Sequence, residues 1–152
     1  MARALTAVGA LLALALLGLG LAVYLGRDEG TIAVDNLLAE NITRAIGTAE
    51  ERGVDVDLRT VAKFKWDELV VADRDVTRAR LSRELGKPWK GDLQFGTGDL
   101  LIFLRGGAVA RFADYRGEGR FEGIPRPIAR LKPSAAVFRV RNLVIRPLRP
   151  PS

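Results

Sequence analysis

Two carboxylates separated by one valine, Asp55 and Asp57, are the nearest this chain comes to an acid–base pair. Hydrolysis by two carboxylates needs surroundings that drive their pKa values apart, so that one keeps its proton while the other is ionised. No apolar run adjoins Asp55-Val56-Asp57 to bury either group, and the stretch reads as a solvated turn. Asp73-Arg74-Asp75 offers two carboxylates to a cation. Calcium takes about six to eight oxygens, and no loop here has the spacing of such a site. The same residues read as a strand-to-helix turn in which Asp75 is the N-cap. Ser82, in Leu81-Ser82-Arg83-Glu84, has no base at helical spacing and reads as a polar position on a helix. Gly96-Thr97-Gly98 is glycine-rich like a phosphate loop, but no P-loop lysine follows it, so it reads as a hairpin turn. The sequence contains no histidine and no cysteine. The commonest general base, the commonest transition-metal ligand and the thiol nucleophile are therefore missing together. The expectation is a non-catalytic protein without metal or cofactor.

Cations are the residues left with a chemistry of their own. Residues 27–75 carry 7 Lys and Arg against 12 Asp and Glu, whereas residues 76–152 carry 16 against 6. From Arg130 onward every charge is positive: Arg130, Lys132, Arg139, Arg141, Arg146 and Arg149. Such asymmetry either marks a surface for an anionic partner or is neutralised by the acidic start of the same domain. Arg130, Lys132, Arg139, Arg141 and Arg146 are the candidate binding surface. Its candidate ligands are an envelope protein or anionic lipid headgroups, the latter worth about 1 kcal/mol per cation near a membrane. Nucleic acid is not expected, because no aromatic stacking platforms are interleaved with these cations. Phe64, Trp66, Trp89 and Tyr115 are expected in the core, as aromatics of half-buried strands usually are.

The location of such a surface depends on the start of the chain. Ala4 to Gly26 is a run of 23 residues without a charge, nine of them Leu. As a helix at ~1.5 Å per residue it is roughly 34 Å long, enough for a hydrocarbon core of about 30 Å. It exceeds the roughly 7–15 apolar residues of a secretory signal, so an uncleaved anchor is expected. A removed signal is the alternative, since Gly20-Leu21-Ala22 supplies small residues near its end. Arg3 ahead of the run places the N-terminus in the cytoplasm and the domain outside a single-pass cell-membrane anchor. The remaining chain, residues 27–147, suits one small domain, and the Pro-rich residues 148–152 read as a disordered tail.

Periodicity assigns the elements of that domain. Val34, Leu38, Ile42, Ala45, Ile46 and Ala49 fall on one helical stripe, with Thr31 as N-cap and Gly53 as terminator. Residues 61–72 read as a strand with Phe64 and Trp66 on one face, losing its alternation at Leu69-Val70-Val71-Ala72 as a strand covered on both faces does. A second helix follows Asp75 and stops at Gly86-Lys87-Pro88. Short strands then form a meander: residues 92–95, the apolar Asp99–Arg105, and Ala108–Tyr115 after the Gly106-Gly107 hairpin signal. The prolines of Ile124-Pro125-Arg126-Pro127 exclude a central strand, and Ala135–Pro147 alternates as one long strand. The expected fold is α+β: one N-terminal transmembrane helix, then two helices packed on a single antiparallel sheet.

Phe64-Lys65-Trp66-Asp67-Glu68-Leu69-Val70-Val71, followed by Val76-Thr77-Arg78, Leu85-Gly86 and Trp89, resembles a loose family of small bacterial exported or membrane-anchored proteins of unassigned function. Leu100-Leu101-Ile102-Phe103 with Gly106-Gly107 is similar to their strand–turn–strand. More distantly, Thr77-Arg78 followed by Leu85-Gly86-Lys87-Pro88 is similar to the Thr, short helix, Leu-Gly-x-Pro pattern of SmpA/OmlA-type lipoproteins, which assist outer-membrane protein assembly. Those proteins carry a lipidated cysteine, and this chain has none. The resemblance supplies no catalytic residue.

Overall fold

The computed structural model describes residues 32–91 and 98–149. The apolar run 4–26, the expected strand 92–95, the turn residues 96–97 and residues 150–152 lie outside the described residues. Among those described, no helix is long and apolar enough to cross a membrane. The fold is α+β, with three helices and two four-stranded sheets among the described residues.

Helix α1 (Asn36–Arg52) buries Leu38, Ala39, Ile42, Ile46 and Ala49, the stripe set by the 3.6-residue period. Its N-cap is Asp35 rather than Thr31: the Asp35 carboxylate accepts from Leu38 N at 2.9 Å. A second oxygen of Asp35 accepts from Arg111, so the helix start is fixed by a distant strand as well as by its own sequence. Gly53 ends α1 at φ 65°, a left-handed conformation that costs glycine nothing.

Asp55–Asp57 is not a turn but a short edge strand, β1, and Asp57 caps the one-turn helix α2 (Leu58–Val61). Strand β2 is only Glu68–Ala72. The expected strand is shorter at its start because Phe64 and Trp66 fold their rings edge-on against Phe103, at 5.4 and 5.2 Å between centroids. The aromatic alternation there packs a bend onto the sheet instead of pairing a strand. Helix α3 (Arg78–Leu85) is capped by Thr77, whose hydroxyl accepts from Arg80 N at 3.3 Å, and not by Asp75. Gly86 ends it at φ 68°.

The single sheet expected from the sequence is replaced by two. The first has the order β4 (Ala108–Asp114), β3 (Leu100–Arg105), β2, β6 (Ile128–Leu131), antiparallel throughout. Both its faces are covered. Leu69, Val71, Leu101 and Phe103 join one apolar cluster with the stripe of α1. Val70, Ala72, Leu100, Ile102 and Phe112 join another with Leu81 of α3 and Trp89. That double burial explains the loss of alternation in β2 and β3.

The second sheet has the order β1, β7 (Val137–Arg141), β8 (Val144–Pro147), β5 (Arg120–Phe121), and β5 runs parallel to β8. Phe121, Phe138, Val140 and Ile145 face inward and close the cluster around α1. Residues 135–147 therefore form no single strand. They make a hairpin whose turn, Asn142-Leu143, has φ 51° and 62°.

Candidate functional site

The hairpin decides where the basic residues go. In one straight strand a period of two would send Arg139 and Arg141 to one face and Arg146 to the other. A two-residue turn reverses the chain and shifts that parity, so Arg139 pairs directly opposite Arg146, and Arg141 opposite Val144. The inward residues Phe138, Val140 and Ile145 are buried, which leaves Arg139, Arg141, Val144 and Arg146 on the solvent face. A groove of about 270 Å³ runs over it, lined by Arg139, Arg141, Val144, Arg146, Pro147 and Leu148.

The neighbouring strands complete this face. Asp55 on β1 pairs with Arg139 in register and accepts from its Nε and Nη2 at 3.0 and 3.2 Å. Glu122, just past β5, accepts from Arg146 Nη2 at 2.9 Å. Arg120 of β5 lies beside Val144 in register, and Phe121 points the other way into the core. The outer face thus holds four arginines, Arg120, Arg139, Arg141 and Arg146. The contribution of Arg120 was missed by sequence reasoning. Its alternation with Phe121 was visible, but the parallel pairing of β5 with β8 has no local sequence signal.

The other two expected members are elsewhere. Arg130 is on β6 of the first sheet, where it donates to Glu68 at 2.6 Å and to the Glu84 carbonyl at 2.9 Å. It braces the C-terminal end of α3, a favourable place for a cation. Lys132 is exposed and precedes a 3-10 turn at Pro133–Ala135. The sequence-predicted five are therefore three on one face and two off it.

The carboxylates weighed for chemistry are tied into ion pairs. The Arg139 hydrogen bond holds Asp55 below the ordinary carboxylate range, and the Arg59 hydrogen bond does the same for Asp57. Both are shifted in the same direction, whereas an acid–base pair requires opposite ones. Ser82 is no free hydroxyl: it donates to the Arg78 carbonyl at 2.7 Å and accepts from Trp89 N at 2.9 Å, pinning Trp89 to α3. Asp99 is buried, and burial pushes its carboxyl up, opposed by Arg126 at 3.0 Å. Arg126 also lies 3.7 Å from Asp73 and donates to the Phe121 carbonyl, so this group braces the 122–127 loop. No set of three or more metal-ligating side chains comes together among the described residues. The core expectation for the aromatics is met, with Trp89 and Tyr115 buried and Phe64 and Trp66 half-buried. No family model, no curated protein and no solved structure matches this chain.

Proposed function

We propose that this chain is a membrane-anchored, non-catalytic interaction domain that binds an envelope protein, or serves as an accessory subunit of a membrane assembly, through the outer face of its second sheet. The observation that carries the reading is the convergence of Arg120, Arg139, Arg141 and Arg146 on one solvent face beside a groove with the apolar side chains Val144 and Leu148. Arginine beside apolar surface is the composition that interfaces favour. The anchor is residues 4–26, and the weak resemblance to envelope-assembly lipoproteins points to the same compartment. The pairing of Asp55 and Asp57 with their own arginines supports a binding role over hydrolysis.

Co-purification from detergent-solubilised membranes tests this. The full chain is expected to bring down a stoichiometric companion, and Arg141→Glu with Arg146→Glu is expected to release it. A companion held equally by both proteins removes the arginine face from consideration. No companion at all, in any detergent, sinks the interaction reading.

A further inference from the structure

Cross-strand neighbours on a sheet favour opposite charges, and like charges directly opposite are destabilising. Arg139 nevertheless faces Arg146 across the β7–β8 hairpin. Their acids stand on the outer sides, Asp55 beside Arg139 and Glu122 beside Arg146. Across the sheet the row reads acid, cation, cation, acid. The two cations adjoin at the middle of the row, and each is engaged by an acid on its outer side, Arg139 by Asp55 and Arg146 by Glu122.

Donors on this face remain unengaged. Arg139 engages Asp55 through Nε and Nη2, and Arg146 engages Glu122 through Nη2. A guanidinium has five N–H donors, so each keeps some unengaged. Arg141 lines the groove and makes no ion pair among the described residues, although its charge helps to hold the Asp55 carboxyl low.

Charge patterning selects the kind of anion. A flat bilayer covers the whole face and responds to its net charge. Arg120, Arg139, Arg141 and Arg146 are offset there by Asp55, Asp57 and Glu122, with Arg59 paired to Asp57. One or two net positive charges remain, each worth about fivefold in affinity for an anionic membrane. A narrow ligand seated in the groove touches Arg139, Arg141 and Arg146, which line it, rather than the acids, which do not. Beside these arginines, Val144 and the 41% exposed Leu148 give an apolar wall.

We propose that this groove seats an acidic side chain of an extended protein segment, its carboxylate between Arg139 and Arg146 and clasped by Arg141, with a neighbouring apolar residue on Val144 and Leu148. The inference rests on the reading of the domain as a binding module and names the chemistry of its partner. A carboxylate held by a planar guanidinium fork is a strong, geometrically selective contact.

The full chain in zwitterionic detergent micelles is titrated with acetyl-Leu-Glu-Leu-Glu-amide and, separately, with its Gln counterpart, following the arginine Nε resonances by NMR. The Glu peptide is expected to shift Arg139, Arg141 and Arg146 saturably, and the Gln peptide to leave them in place. Arg141→Gln is expected to weaken binding by roughly tenfold, and Leu148→Ser by about fivefold at unchanged charge. Equal shifts from both peptides, or full affinity in Arg141→Gln, overturn the proposal. Phosphatidylglycerol-doped micelles and inorganic phosphate are run alongside. Shifts from these without any from the Glu peptide also overturn it, and assign the face to lipid or to free phosphate respectively. Failure of the peptide while Arg141→Glu with Arg146→Glu still releases a membrane companion sinks the carboxylate seat and leaves the interaction module standing.

Discussion

A methyl group added at Gly98 would stand 1.5 Å from the Tyr115 carbonyl oxygen. The two segments meet there because Tyr115 N donates to the Asp99 carbonyl at 2.9 Å, extending the β3–β4 pairing by one residue. Gly98→Ala forces backbone rather than a flexible side chain to move. It is expected to cost about 2–3 kcal/mol, read as a lower urea midpoint at unchanged slope. The neighbouring Asp99 gives a pH signature. Burial raises its carboxyl above the ordinary 3.8 in the folded chain, and unfolding returns it there. Between those two values the folded state binds more protons than the unfolded one, so this group increasingly favours folding as pH falls. Asp55 and Asp57 act the other way. Their folded values are lowered, so their contribution is complete above the ordinary value and is lost as pH falls through the lowered one. The stability of wild type minus that of Asp99→Asn should therefore rise from about pH 7 to about pH 4, measured by denaturant unfolding across that range. A flat or falling difference would contradict the burial of Asp99.

At the scale of elements, two hairpin turns share one backbone conformation, one built from two glycines and the other from none. Gly106 and Gly107 connect β3 to β4 with φ 56° and 73°, positive at both central residues as a type I′ turn requires. The β7–β8 turn has the same sign pattern at Asn142 and Leu143. Asparagine tolerates a left-handed conformation, but leucine there pays a steric penalty of about 1–2 kcal/mol. Two contacts hold it: Leu143 N donates to Glu50 at 2.7 Å, and the Leu143 carbonyl accepts from Arg120 N at 2.8 Å. Both are backbone bonds at residue 143 and survive its replacement. Leu143→Gly is therefore expected to stabilise the domain by about 1 kcal/mol, seen as a higher thermal midpoint. A lower midpoint would mean that the 44% exposed Leu143 side chain packs more than its exposure suggests.

Over the whole molecule, the acidic first half and basic second half meet only in part. Arg139–Asp55 and Arg130–Glu68 join the two halves, as does Arg126–Asp73, while Arg141 makes no such pair among the described residues. Arg141→Glu should consequently leave unfolding within about 0.5 kcal/mol of wild type while weakening capture of the companion, and a large stability loss would show that this residue has a structural role instead. The sequence by itself determined the stripe of α1, the terminators Gly53 and Gly86, the Gly106-Gly107 hairpin and the two-sided burial of β2 and β3. Each is a local effect: a period or a permitted φ. The division into two sheets, the parallel β5 and the return of Arg146 to the face of Arg139 depend on pairings between residues far apart in the chain. Whether an alternating run is one strand or a hairpin turns on the partners that strand edges find, here β1 for β7 and β5 for β8. Only the tertiary structure decided that, because a backbone hydrogen bond between strands carries no side-chain signature at either end.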